Sequence, residues 1–354
     1  MQRAVPRRAV QPFTFGKQER ALSPHNPRIE CSYCALIGMR SRSSFLGFAK
    51  ACLMPVLAAL FLPPAAAQSQ DDTSELRLDG LDTIDVVIGW VAARLEVNPG
   101  ATGPIILNPD IAASAALLPE CQMTYDYGQI KIESHMTRAL IDFGSGEMRR
   151  RVTWAQIPVS SRADGIIGVQ HLPYDRITFA LREPGPIERV QRLKLKRKGS
   201  RSYPRLGAQV EVGDRKLFAV FTLSADVNYV SAKTANFLAT NLEGGFVEGS
   251  ESFVDLDFGL RRDTKDLRLV YPVELGELRV DTFAVRLNDH GKADKVGSLA
   301  ADDPRLVDGA IIVSRRKGEG RPDVVTRIGR NEIAHCSRLT FDMKAKQIEL
   351  SCAP

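Results

Sequence analysis

The chain has 354 residues, of which 44% are hydrophobic and 25% charged, and its formal net charge of +6 corresponds to a pI near 9.0. This composition is typical of a globular protein whose length could hold two domains, and it excludes a mostly disordered, collagen-like or membrane-spanning chain. The positive balance would favour an anionic partner. However, residues 1–67 contain nine Lys or Arg and two acids, so residues 68–354 carry 6 − 7 = −1. We therefore predict no nucleic-acid partner.

Residues 39–67 have the pattern of a secretory signal peptide. A basic stretch after Met39 precedes an apolar run over 51–62, which is too short to span a membrane. Three alanines that end at Ala67 provide small residues for cleavage before Gln68. We expect export to the periplasm or outside the cell; an internal hydrophobic helix is the alternative.

Residues 1–38 are rich in Arg, Pro and Ser and show no hydrophobic period, so we interpret them as a non-native or disordered extension before the signal. The pair Cys31 and Cys34 has C-x-x-C spacing, a weak metal signal without a second pair. The histidines show no metal-ligand spacing, so no metal site or cofactor is predicted. They are His25, His135, His171, His290 and His335.

Two cysteines near the C-terminus flank a hairpin-like segment. Pairing Leu339 with Glu349 across that hairpin places Cys336 opposite Cys352, which predicts a disulfide bond in an oxidising compartment. Cys121 is then the odd cysteine outside the leader, and we expect it to be a buried, unpaired thiol.

After the leader the chain is rich in strands, because short apolar and β-branched runs alternate with Gly, Asn, Asp and Pro turns. Short helices are predicted at Ser231–Thr240 and Ile111–Leu118. The clearest strand segments are Arg94–Asn98, Arg138–Phe143, Arg151–Trp154, Gln209–Val212 and Phe218–Phe221.

The two halves of this region share an order of features that suggests an internal repeat. Each half runs strand, turn, strand, tight loop and short helix, and later closes alike. The openings differ by 210 − 95 = 115 residues and the closings by 329 − 168 = 161, so the second half would hold 46 extra residues. Chance similarity of two strand-rich stretches is the alternative. The paired stretches are Arg94–Asn98 with Gln209–Gly213, Pro104–Asp110 with Ala219–Asp226, and Gly168–Leu172 with Gly329–Ile333.

A basic segment over 186–204 separates the halves, after a Pro-Gly-Pro break. Its positive charge suggests an anion-binding strip on the surface. The favoured alternative is a solvated linker strand whose Leu193 and Leu195 face inward.

The halves resemble the two lobes of pepsin-like and retropepsin-like aspartic proteases. Ala163–Gly168 is similar to the Asp-Gly-Ile-Leu-Gly segment of the first lobe, and Arg327–Arg330 is similar to the second-lobe ending. The resemblance covers most of 85–352. It implies an all-β, bilobal fold with few short helices, an N-terminal lobe over 85–185 and a C-terminal lobe over 205–353.

The chain departs from that family in its catalytic motifs, since neither Asp-Thr-Gly nor Asp-Ser-Gly occurs in the sequence. The positions matched to the catalytic dyad are Asn108, or Leu107 if the gap shifts by one, and Thr222. An amide and a hydroxyl cannot share a proton as two carboxylates do in aspartic proteolysis. The nearest carboxylates are Asp110 and Asp226, which form a displaced candidate dyad.

The resemblance also suggests that the hairpin around 139–146 is a flap over the cleft, with an ordinary exposed hairpin as the equal alternative. Trp154 and Tyr174 are candidate cleft aromatics, although a core position is more common.

Three functions therefore stay open. The first is a non-catalytic exported protein that binds an extended peptide or an envelope protein in the inter-lobe cleft. The second is an active aspartic endopeptidase that uses Asp110 and Asp226. The third is a structural protein whose cleft is filled. The sequence predicts no membrane-spanning segment and gives no oligomeric state.

Overall fold

The structure is a computed structural model that describes residues 28–30, 74–200, 203–287, 296–299 and 324–354. The expected signal peptide, the Cys31 and Cys34 pair, and Cys52 lie outside these residues. The short strand β1, Arg28–Glu30, falls within the expected N-terminal extension and pairs with the strand that begins at Cys121.

Strands dominate the first half of the chain. They are β2 Glu75–Asp79, β3 Thr83–Ile88, β4 Val91–Val97, β5 Ile105–Leu107, β6 Cys121–Tyr127, β7 Ile130–Asp142, β8 Glu147–Ala155, β9 Gly165–Ile167 and β10 Arg176–Ala180. A short helix, α1 Pro109–Ser114, follows β5.

Strands also dominate the rest of the described chain. Among the described residues the strands are β11 Arg189–Lys194, β12 Lys196–Lys198, β13 Arg205–Val212, β14 Arg215–Phe221, β15 Tyr229–Ser231, β16 Gly244–Val247, β17 Ser252–Asp255, β18 Arg261–Leu275, β19 Leu278–Arg286, β20 Ser298–Leu299, β21 Val325–Ile328, β22 Cys336–Asp342 and β23 Gln347–Cys352. The helix α2, Ala232–Asn241, follows β15.

Strands make up 55% of the structure and helices 11%, which confirms the all-β class. Both predicted helices are present. The Ser231 hydroxyl caps α2 by accepting a hydrogen bond from the Thr234 amide at 3.3 Å, which explains why that helix begins there. Among the described residues, no helix has both the length and the apolar character that crossing a membrane requires.

The first half contains a six-stranded barrel in the order β7-β3-β4-β9-β5-β8, closed by pairing of β8 with β7. In it β4 runs parallel to β9, β9 is antiparallel to β5, and β5 is parallel to β8. Alternate side chains such as Leu95 and Val97 point into the barrel and are fully buried.

The second half repeats these pairings. Here β14 runs parallel to β21, β21 is antiparallel to β15, and β15 is parallel to β19. The register places Val97 opposite Ile167 in the first half, and Phe221 opposite Ile328 in the second. Strand β4 therefore corresponds to β14.

The expected match of Arg94–Asn98 with Gln209–Gly213 was wrong. Gln209–Gly213 lies at the end of β13, whereas the counterpart of β4 is the next strand, β14. In both halves a hairpin precedes the loop, β3–β4 and β13–β14, and its two strands have similar apolar patterns. The structural offset between the residues that follow β4 and β14 is 222 − 98 = 124. The closing offset of 161 agrees with the equivalent positions of Ile167 and Ile328. Between the opening and closing strands, the second half therefore has 161 − 124 = 37 more residues than the first.

A five-stranded sheet in the order β11-β23-β22-β10-β2 joins segments from both halves. It holds the predicted Cys336–Cys352 disulfide, which is confirmed. The predicted register was off by one residue, since Leu339 pairs with Leu350. A bulge between Cys336 and Arg338 absorbs the difference and keeps the cysteines opposite each other.

The expectation of an unpaired thiol at Cys121 was wrong, because Cys121 is disulfide-bonded. The basic segment over 186–204 supplies β11 and β12. Leu193 and Leu195 pack against the main core, as the linker-strand interpretation expected.

Candidate functional site

The residues that directly follow β4 and β14 occupy equivalent places in the two halves. The Asn98 amide donates to the Ile167 carbonyl at 3.0 Å, and the Thr222 amide donates to the Ile328 carbonyl at 2.9 Å. At the end of its strand, each residue thus makes the same backbone hydrogen bond to the neighbouring parallel strand. The counterpart of Thr222 is therefore Asn98.

The side chains of these two residues meet in one hydrogen-bonded cluster. The Thr222 hydroxyl donates to Asn98 Oδ1 at 3.5 Å. Asn98 Nδ2 donates to Ser224 Oγ at 3.0 Å, and this oxygen also lies 3.0 Å from Thr222 Oγ1. Asn98 and Thr222 are only 2% and 1% exposed, whereas Ser224 is exposed, so the pair is buried between the halves and the cluster reaches the surface at Ser224.

The local loop geometry is also repeated. Asn98 Oδ1 accepts the amide of Gly100 at 2.9 Å, and Thr222 Oγ1 accepts the amide of Ser224 at 3.4 Å. In both cases a side-chain oxygen binds the amide two residues later, which holds the turn. A Cβ at Gly100 would lie 2.6 Å from the Thr222 side chain, so the close approach of the two loops requires glycine.

A polar cavity of about 60 Å³ opens beside this cluster. Four tyrosines, two arginines and three aspartates supply most of its polar lining. They are Tyr125, Tyr127, Tyr203, Tyr229, Arg286, Arg327, Asp126, Asp255 and Asp257.

Two hairpins, one from each half, meet over the cavity. The Phe258 ring at the β17–β18 turn packs 5.1 Å from the Tyr125 ring and 6.5 Å from the Tyr127 ring of the β6–β7 hairpin. Arg262 Nη2 donates to the Tyr127 carbonyl at 3.1 Å. Phe258 has a φ of +63°, an uncommon conformation for a residue with a Cβ. The contact with the other half compensates for that strain.

The two arginines of the cavity come from separate strands of the second half, Arg286 from β19 and Arg327 from β21. Arg286 is fully buried at 1% exposure, and Arg327 is half-buried. Their guanidinium carbons lie 5.6 and 5.4 Å from the centre of the Tyr229 ring, within the range of cation–π attraction. The site can therefore present cations to a polar or anionic group.

Asp257 is a cavity carboxylate with a shifted pKa. Burial raises its pKa, and the nearby positive charge of Arg327 opposes this shift. Burial likewise raises the pKa of Tyr127, with a contribution from the negative charge of Asp257. A carboxyl with a raised pKa in a cavity is a candidate functional group.

The assignment of Asn108 to the dyad position is corrected by these contacts. Asn108 precedes α1, and its buried Nδ2 donates to the carbonyls of Ser160 and Ala163 at 2.9 Å. Its Oδ1 accepts the amides of Val159 and Ser160. The equivalent residue in the second half is Ser231, the N-cap of α2. Asn108 therefore fixes the loop over 159–163 and does not line the cavity.

The displaced candidates are not brought to the cavity. Asp110 is exposed in the first turn of α1. Asp226 is exposed and forms an ion pair with Arg330. Of the two residues matched to the dyad, only Thr222 lines the cavity.

The other candidate cleft residues lie elsewhere. The 139–146 hairpin has an exposed turn in which Asp142 accepts the amides of Gly144 and Gly146. Trp154 and Tyr174 are partly buried against the main core. The hairpin that reaches the cavity is instead β6–β7.

One grouping of metal-ligand types occurs among the described residues: His335, Cys336 and Cys352. The two sulfur atoms already form a disulfide bond, so thiolate ligands are lacking there.

Comparison with known proteins adds no identification. No protein-family model matches the chain, and no curated protein is similar enough to be counted as a relative.

Proposed function

We propose that this chain is a bilobal, aspartic-protease-like protein that binds an extended peptide between its halves without cleaving it. The observation that carries this proposal is the pair Asn98 and Thr222. They hold equivalent places at the junction, where the resemblance to aspartic proteases calls for two carboxylates. An amide and a hydroxyl bind by hydrogen bonds but cannot alternate as general base and general acid.

The setting of the pair supports binding. The cavity combines aromatic surfaces with polar groups such as Thr102 and Ser224, a mixture typical of ligand sites. The two overhanging hairpins offer backbone groups that a peptide strand can pair with. Phe258 and Tyr127 bring the two hairpins into contact, so we expect a peptide to enter the site when these hairpins separate.

The active-protease alternative requires Asp110 and Asp226 to act as a displaced dyad. Neither lines the cavity, and Asp226 is engaged with Arg330. The filled-cleft alternative draws support from the small cavity volume of about 60 Å³ and from the Phe258 contact. A measurement of peptide binding separates the two, because a protein with a filled cleft would bind no peptide there.

The test uses the full chain and an array of overlapping short peptides from an unfolded protein. Peptides that bind are labelled and titrated by fluorescence anisotropy. Thr102→Trp fills the cavity, and Ser145→Trp adds the same side chain to the exposed β7–β8 turn as a matched control. The proposal predicts that Thr102→Trp abolishes binding and Ser145→Trp preserves it. Absence of any binding peptide, or equal binding by both variants, contradicts it.

A further inference from the structure

A second, larger pocket lies away from the cavity and is strongly basic. It has a volume of about 410 Å³, within the range of small-molecule sites. Five arginines and a histidine supply its charged lining: Arg138, Arg149, Arg150, Arg151, Arg197 and His171.

These arginines come from three strands. Arg138 lies on β7, three consecutive arginines lie on β8, and Arg197 lies on β12 in the basic segment between the halves. The register places Arg138 directly opposite Arg151. Like charges in that arrangement destabilise a sheet. This clustering of arginines therefore lowers the stability of the fold, so stability does not explain it.

The described residues leave much of this charge unneutralised. No carboxylate among them lines the pocket, and none forms an ion pair with Arg138, Arg149 or Arg197. Arg150 donates to the His171 carbonyl at 3.1 Å and to the Met148 sulfur at 3.0 Å.

Other arginines of the same fold are neutralised. Arg176 forms ion pairs with Glu75, Asp342 and Glu349, and Arg182 pairs with Glu188. The environment of the basic pocket therefore differs from that of Arg176 and Arg182.

We propose that the basic pocket binds a small soluble molecule carrying two or more linked phosphate groups. A guanidinium group matches phosphate oxygens with two parallel hydrogen bonds, and such charge-assisted bonds are about twice as strong as neutral ones. Several guanidinium groups converging on one concavity suit a compact polyanion better than a single carboxylate. The concave shape favours a small molecule over a long polymer, which would follow an extended basic stripe.

His171 is a built-in reporter of occupancy. Its Nε2 lies 2.5 Å from the Gly103 carbonyl, so this nitrogen carries the proton. Burial lowers its pKa, and the positive charges of Arg150 and Arg197 lower it further against the effect of that hydrogen bond. A bound polyphosphate would offset the arginine charges and raise the pKa of His171.

The probe for the test is inorganic tripolyphosphate, titrated calorimetrically into the full chain at physiological ionic strength. Arg149→Gln with Arg197→Gln removes two exposed charges of the pocket. Arg189→Gln with Lys194→Gln removes two exposed charges of β11 as the matched control. We expect the pocket variant to weaken binding about tenfold or more and the control to change it little.

A second measurement follows His171 by NMR, and its pKa should rise when tripolyphosphate is present. Thr102→Trp should leave tripolyphosphate binding unchanged, which separates this site from the peptide cavity. Three results would overturn the proposal: no binding of tripolyphosphate, equal loss in both double variants, or tighter binding of a DNA duplex than of tripolyphosphate.

Discussion

Thr222 Oγ1 lies 3.5 Å from Asn98 Oδ1, and the two residues follow equivalent strands of the two halves. Ser224 connects them through hydrogen bonds of 3.0 Å to each. The junction of the repeat is thus held by neutral polar side chains.

Placing carboxylates at this junction should make stability depend on pH. In the double variant Asn98→Asp with Thr222→Asp, two adjacent carboxyls share one proton, so the second pKa is raised. A raised folded-state pKa means that stability is lost as pH rises through it. We expect the free energy of unfolding to fall by about 2 kcal/mol or more between pH 4 and 8, relative to the natural chain. Urea unfolding measures it, and parallel pH profiles would contradict a close pair.

Asn108 should matter for stability and not for peptide binding. Asn108→Ala leaves buried backbone groups of the 159–163 loop without their partners, at a cost of about 2–4 kcal/mol. The exposed Asn331→Ala is the control and should change stability by about 0.5 kcal/mol or less. Thermal and urea unfolding check this. If Asn108→Ala unfolds like the control, the buried amide contributes little.

Asp257 should weaken the fold at neutral pH. Since burial raises its folded-state pKa, its contribution is most favourable at low pH and declines as pH rises through that pKa. Asp257→Asn cannot lose a proton. The variant should therefore gain stability relative to the natural chain on going from acidic to neutral pH. Urea midpoints across this range test the sign, and a difference that stays constant with pH contradicts it.

The roof contact should control access to the cavity. Phe258→Ala removes the ring that packs on Tyr125 and Tyr127, so hydrogen exchange of 125–130 and 255–261 should accelerate. Phe253→Ala is the matched control, because Phe253 lies on the same hairpin but is 48% exposed. Equal exchange in the two variants would show that the Phe258 contact does not hold the hairpins together.

Features set by local chemistry could be predicted from the sequence. The sequence predicted a helix that begins at Ser231, whose hydroxyl caps α2, and hairpin pairing identified the Cys336–Cys352 disulfide. The closing offset of 161 residues also agrees with the register of β9 and β21. These features depend on neighbours in the chain or on one hairpin.

The site itself depended on contacts that the sequence does not display. Because β3 and β4 have similar apolar patterns, the sequence matches β4 with β13 and β5 with β14, which places the dyad position at Asn108 and not at Asn98. Its signal was an apolar strand followed by a polar residue, which Thr222 shares. Arg286 and Arg327 end or interrupt ordinary strands, and only the fold brings them beside Asp257.

Proteolysis by the full chain tests the central claim most directly. The protein is incubated with an unfolded protein substrate from acidic to neutral pH, with and without a statine-type inhibitor, and new termini are sought by mass spectrometry. The neutral pair Asn98 and Thr222 predicts no new termini at any pH. Inhibitor-sensitive cleavage that is lost in Asp226→Ala would contradict it and establish the displaced carboxylates as catalytic.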